Sequence, residues 1–116
     1  MPSSIAELQD ELRRFVRDRD WAQFHDPKNL AMALVSEAGE LAAEYRWVSN
    51  ADADRHSAVA SARARVIAEI GDVGILLLLL CDRLGVDPLA AIEQKLRANK
   101  AKYPIAESKG RPDPPM

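Results

Sequence analysis

Ala31-Met32-Ala33-Leu34-Val35-Ser36-Glu37-Ala38-Gly39-Glu40-Leu41-Ala42-Ala43-Glu44-Tyr45-Arg46-Trp47-Val48 is an apolar segment that carries carboxylates at positions 37, 40 and 44. Such spacing puts all three near one stripe of a helix. The device returns as Glu69-Ile70-Gly71-Asp72, ahead of the five leucines Leu76 to Leu80. Packed carboxylates need a cation or a proton to offset repulsion and desolvation. Two helices, each bearing an i,i+3 acidic pair among residues that favour burial, therefore predict a divalent-metal site.

Working outward, the N-terminal stretch predicts a helix from Ser4, with Glu7 completing a capping box and Ile5, Leu8, Leu12, Phe15 and Val16 at helical spacing. The period breaks across Asp20-Trp21-Ala22-Gln23-Phe24-His25-Asp26, a link unusually rich in aromatic residues. Asp26 caps the second helix, with Pro27 in its first turn, and the apolar pattern extends it to about Val48. Gly39 lies inside that helix at a cost of roughly 1 kcal/mol against alanine, which predicts close approach of a neighbour or ligand. A third helix is expected from about Ala53 to Leu84 and a fourth from Pro88 to Tyr103, with Gly85 ending the former. His56, among charged and small residues, is expected to be exposed.

The fold class is all-α, a four-helix bundle-like domain spanning residues 1–106 with a flexible tail over 107–116. Of the 116 residues, 47% are apolar and 29% charged, as in a compact folded domain. A net charge of -2 leaves no broad nucleic-acid footprint. Six Lys/Arg against Glu107 and Asp113 nevertheless make residues 95–116 basic. The lone Cys81, inside an apolar run, excludes an internal disulfide and points to a reducing, cytoplasmic setting. The leucine run is too short to span a bilayer, so no membrane partner is expected. A small core beside so apolar a helix predicts a homo-oligomer.

Glu37, Glu40, Glu69 and Asp72 compose the expected cage. Mg2+ suits it best, because it favours carboxylates and completes its shell with water and substrate phosphates; Mn2+ also suits all-oxygen ligation. Neither histidine supplies the Glu-x-x-His of a di-iron bundle. In such a cage phosphoryl chemistry leads, with one carboxylate free to take a proton from water. Lys95, Lys100 and Lys102 would neutralise a polyphosphate beside Asn99, while Trp21, Phe24, His25 and Trp47 offer stacking and an edge-reading group for a base. The alternative is a catalytically silent helical module that binds a nucleotide or a protein through its apolar seam.

Glu37-Ala38-Gly39-Glu40-Leu41 followed by Glu69-Ile70-Gly71-Asp72 resembles the signature of the MazG-like all-α nucleoside triphosphate pyrophosphohydrolases. Arg19-Asp20-Trp21-Ala22-Gln23-Phe24-His25, Pro27-Lys28-Asn29-Leu30, Tyr45-Arg46-Trp47 and Asn99-Lys100-Ala101-Lys102-Tyr103-Pro104 are similar to landmarks of the dCTP pyrophosphatase branch. The resemblance implies a MazG-type domain and magnesium-dependent cleavage of the α–β phosphoanhydride of a nucleoside triphosphate, dCTP or a related or modified deoxynucleotide, to monophosphate and pyrophosphate. It also implies a homo-dimer or a dimer-of-dimers tetramer. By carry-over, Glu37, Glu40, Glu69 and Asp72 are the metal ligands, and Glu37 or Glu40 activates water. Trp21, Phe24, His25, Asn29 and Trp47 contact base and sugar; Lys95, Asn99, Lys102 and Tyr103 contact phosphate. Two departures bear on the base rather than on the hydrolysis. Leu76 stands where that branch has a tyrosine, and the link from Trp47 to Glu69 is short.

Overall fold

A computed structural model describes residues 1–111 as helices and turns. The elements are α1 (Ile5–Asp18), α2 (Pro27–Ala43), α3 (Ala53–Ala58), α4 (Ala60–Leu84), α5 (Pro88–Lys102) and α6 (Ile105–Ser108), with 3-10 turns at Ala22–Phe24 and Asn50–Asp52. The described residues form two compact units, one of Met1–Gly85 and one from Val86 onward.

Capping chemistry sets the start of α1, α2 and α5 and the end of α4. The Glu7 amide donates to Ser4 Oγ at 3.1 Å, while the Glu7 carboxylate accepts from the Ser3 amide at 2.7 Å, so the reciprocal half of the capping box falls on Ser3. Those Ser3 hydrogen bonds hold the Glu7 carboxyl below its ordinary pKa. At the other end of α1, Asp20 adopts φ 53°, and the Asp20 and Trp21 amides donate to Arg17 and Val16 carbonyls, each at 3.0 Å. This left-handed turn ends the helix with an aspartate where glycine is usual. Asp26 caps α2 by accepting from the Asn29 amide at 2.9 Å. Gly85, at φ 67°, ends α4.

Two expected helices differ in extent. α2 stops at Ala43, and residues 44–48 form turns. The expected third helix is two, because Val59 is extended at φ -67° and ψ 127°. Ser57 accounts for part of this break: its hydroxyl donates to the Ala53 carbonyl at 2.8 Å, and a serine bonding back one turn competes with helix continuation. That donation occupies the single Ser57 proton, so the Tyr45 hydroxyl, 2.6 Å away, is the donor to Ser57 Oγ.

In the first unit α4 is the central element, packed by α2, α1 and α3. Leu30, Ala62, Leu78 and Cys81 are buried with Val16 of α1. Contacts from Glu37 to Glu69 and Asp72, and from Glu44 to Arg65, make α2 and α4 antiparallel, since one number rises as the other falls. Arg13 Nε of α1 meets Asp82 Oδ1 of α4 at 2.7 Å. Large apolar residues nevertheless stay exposed on α2 (Met32, Val35) and α4 (Ile67, Ile70, Ile75, Leu77). Gly39 faces open space, so the neighbour expected from its position is not supplied by the described residues. His56 is half-buried rather than exposed: its ring packs edge-to-face on Tyr45 at 5.8 Å, and Nε2 is buried without a hydrogen-bond partner.

In the second unit, Asp87 caps α5 through the Leu89 amide at 3.1 Å. Tyr103 closes that helix by donating its amide to the Asn99 carbonyl at 2.8 Å. The expected tail overlaps α6 at Glu107–Ser108 and lies outside the described residues from 112 onward. Among the described residues no helix is long and apolar enough to cross a membrane.

Candidate metal and nucleotide site

The antiparallel pairing of α2 and α4 brings one carboxylate oxygen each from Glu37, Glu69 and Asp72 within 4.8 Å of one another. Glu37 and Glu69 are half-buried and Asp72 is exposed, so the cluster opens outward at Asp72. Glu69 and Asp72 are neighbours on α4 because they are three residues apart; Glu37 joins them only through helix packing. Glu69 Oε2 is buried with no hydrogen-bond partner among the described residues. Loss of solvent, the adjacent Glu37 carboxyl with which a proton can be shared, and the charges of Asp72 and Glu40 together raise the Glu69 pKa.

A buried, orphaned carboxylate oxygen among three acids is a donor set that fits a hard divalent cation. Glu37, Glu69 and Asp72 would hold it. Glu40 lies outside this close cluster, on an exposed part of α2, yet its charge still acts on Glu69.

Beside the acids is a cleft of about 210 Å³ lined by both polar and apolar groups. Glu37 and Asp72 form one part of its wall, and Trp21 and His25 another. The aromatic link between α1 and α2 thus meets the acidic cluster, as its composition suggested. Phe15 and Trp21 support each other edge-to-face at 5.6 Å, and Arg19 stacks its guanidinium 3.8 Å above the Phe15 ring.

The remaining expected residues fall elsewhere. Phe24 is 58% exposed and does not line the cleft. Asn29 donates its side-chain amide to the Phe24 carbonyl at 3.0 Å, which ties the aromatic link to the first turn of α2. Trp47 is 87% exposed beyond the end of α2, with the Arg46 guanidinium 5.5 Å from its ring centroid. Lys95, Asn99 and Lys102 lie on α5, and Tyr103 at its end, in the second unit.

Leu12, Phe15, Val16, Ile75 and Leu79 also line the cleft and were not candidates from sequence; Leu76, singled out as a departure that bears on the base, lines it too. Their periodicity marks them as core in the same way as any apolar stripe, so only the packing of α1 on α4 distinguishes lining from core. Besides the two acids, the polar groups of the described lining are His25 and the indole N–H of Trp21, which leaves little to read the hydrogen-bonding edge of a base.

Comparison with known proteins identifies relatives in sequence and in fold. The chain is 39% identical over 105 residues to dCTP pyrophosphatase 1 of Rattus norvegicus, covering 87% of this chain and 62% of that protein. It therefore spans less than two thirds of that relative's length. It is 33% identical over 102 residues to a dATP/dGTP diphosphohydrolase of Cyanophage S-2L, covering 88% of this chain and 79% of the phage protein. A solved structure described as a pyrophosphatase from Archaeoglobus fulgidus superposes with a TM-score of 0.80 at 36% identity, covering 90% of this chain and 95% of its own. The acidic cluster is consistent with phosphohydrolase chemistry, and residues 32–112 match the MazG-like family. With the shared helical fold and the carboxylates of α2 and α4 in one cluster, this chain belongs to the MazG-like family.

Proposed function

We propose that the protein hydrolyses the α–β phosphoanhydride of a deoxynucleoside triphosphate, dCTP or a related or modified nucleotide, with Mg2+, releasing monophosphate and pyrophosphate. The observation that carries this reading is the meeting of Glu37, Glu69 and Asp72 beside a cleft walled by Trp21 and His25. A bound Mg2+, for which Mn2+ can substitute, would polarise a phosphoryl oxygen and neutralise charge on the triphosphate. Glu40, near the cluster but outside it, is free to accept a proton from the attacking water. Trp21 and His25 would hold the base, and the apolar wall would exclude water behind it. Lys95, Asn99, Lys102 and Tyr103 are the proposed phosphate contacts.

We further propose a homo-dimer or dimer of dimers, acting in the cytoplasm. The exposed Ile67, Ile70 and Leu77 of α4, and the open space over Gly39, support association with a second copy. Lone, buried Cys81 suits a reducing compartment. A purine deoxynucleotide is the second reading of the substrate, favoured by the phage relative, which is a dATP/dGTP diphosphohydrolase.

Product analysis across canonical and modified nucleoside triphosphates tests the proposal, with wild type compared against Glu40→Gln. Monophosphate plus pyrophosphate, dependent on Mg2+ and strongly reduced in the variant, is expected. Orthophosphate as the first product contradicts the bond assignment. Binding without turnover of any nucleotide would make the protein a non-catalytic nucleotide-binding module.

A further inference from the structure

A second cleft, of about 260 Å³, lies between α1, the link after it and the end of α4. It shares Val16, His25 and Leu79 with the cleft beside the acids, so the two spaces adjoin at these three residues. Their charge differs in sign. Glu37 and Asp72 face one, whereas Arg13, Arg17 and Arg83 face the other together with Asp20 and Asp82.

Among these charges, Asp82 is engaged by Arg13 at 2.7 Å, and Arg13 also meets Asp10 at 2.5 Å. Arg13 is thereby a fixed, compensated wall. Asp20 accepts from Gln23 Nε2 at 3.2 Å and is the acid left facing the cleft without a cation. Arg17 has only Asp18, at 3.9 Å, and Arg83 has no acidic partner within 4.0 Å among the described residues. Two arginines from different helices thus face one space, with their guanidinium donors largely uncommitted and a net positive excess. Planar guanidinium forks of this kind match the oxygens of a phosphate.

The rest of the wall, Val16, Ala22 and Leu79, is apolar and suits an organic body rather than a bare ion. We propose that this cleft is a second binding site for a phosphate monoester carrying a heterocyclic body, the chemical class of a nucleoside monophosphate. Arg17 and Arg83 bind the phosphate, and the apolar wall with His25 takes the body. His25 also lines the acidic cleft, so the two spaces share that side chain.

Metal-free conditions separate the two clefts, because without a cation the carboxylates repel a monophosphate. The experiment is calorimetric titration of the full chain in EDTA with dCMP and AMP, and with inorganic phosphate and uncharged deoxycytidine as fragments. Both monophosphates are expected to bind, each more tightly than either fragment. Arg17→Ala/Arg83→Ala is expected to weaken them by roughly tenfold or more, while Glu37→Gln leaves them within about twofold. These exposed arginines make few contacts, so circular dichroism should confirm an intact fold; Arg83→Lys, which retains charge but loses the fork, should give an intermediate loss. Absence of monophosphate binding at millimolar concentration overturns the inference. So does binding that is indifferent to both arginines, or binding that Glu37→Gln abolishes.

Discussion

Arg65 Nε donates to both carboxylate oxygens of Glu44, at 2.9 and 3.1 Å, joining the turn after α2 to the first half of α4. Glu44 is two turns beyond Glu37, and Arg65 is one turn before Glu69. The pair therefore ties the antiparallel helices a short distance from the carboxylate cluster. The Glu44 side chain is 19% exposed and that of Arg65 55%, so the attraction is partly screened. Arg65→Ala is expected to cost about 0.5–1 kcal/mol, lowering Tm by roughly 2–8 °C in differential scanning calorimetry. A double-mutant cycle with Glu44→Ala should recover a coupling of that size; additive losses would mean that the two side chains act independently.

Glu37, Glu69 and Asp72 converge, whereas Glu40 stands outside their close cluster. Asp72→Asn and Glu37→Gln should weaken Mn2+ binding, measured by electron paramagnetic resonance, by at least about tenfold. Glu40→Gln should leave Mn2+ affinity within a few-fold while lowering kcat by roughly a hundredfold or more. Equal loss of metal binding in all three variants would make Glu40 a ligand instead of a base.

The raised pKa of Glu69 has a definite sign in the stability of the metal-free protein. A carboxyl whose folded pKa exceeds its unfolded value stabilises the fold fully below the unfolded pKa, and this contribution is lost as pH rises through the folded pKa. In EDTA, stability attributable to Glu69 should therefore decline as pH climbs from its ordinary value of 4.5 through the raised one. Glu69→Gln should flatten that part of the Tm–pH curve and raise Tm at neutral pH. Added Mg2+ should stabilise the wild type more than the variant; identical curves for the two proteins would contradict the assignment.

Leu30, at 2% exposure, is the most completely enclosed large side chain of the first unit. Leu30→Ala should cost about 2–5 kcal/mol through lost burial and the cavity left behind. Urea denaturation gives the value directly. Met32→Ala, on the same helix but 62% exposed, should cost under about 0.5 kcal/mol in a monomer and more if a second copy covers it.

Asn29 joins two elements through its donation to the Phe24 carbonyl. Asn29→Ala is expected to destabilise by about 0.5–1.5 kcal/mol and to raise KM more than it lowers kcat, because it loosens the link that carries Trp21 and His25. Steady-state kinetics with the preferred nucleotide would separate the two effects.

Local chemistry accounts for what sequence alone determined. Ser4, Asp26, Pro27, Gly85, Asp87 and Pro88 mark helix ends through short-range hydrogen bonds and backbone restriction, and these signals survive in the fold. The acidic pairs were equally legible, because spacing within one helix determines which side chains are neighbours. Helix continuation was less so: the break at Val59 and the half-burial of His56 depend on Ser57, Tyr45 and their packing, which no periodicity encodes. Only the tertiary structure decided that Glu37, rather than Glu40, joins Glu69 and Asp72, and that Leu12 and Leu79 line a cleft. The reason is geometric. A helical sequence defines a stripe about its own axis, but which part of the stripe meets another helix depends on the offset and rotation between the two, and these are set by the buried side chains along both helices, Leu30 on α2 and Ala62 and Leu78 on α4 among them.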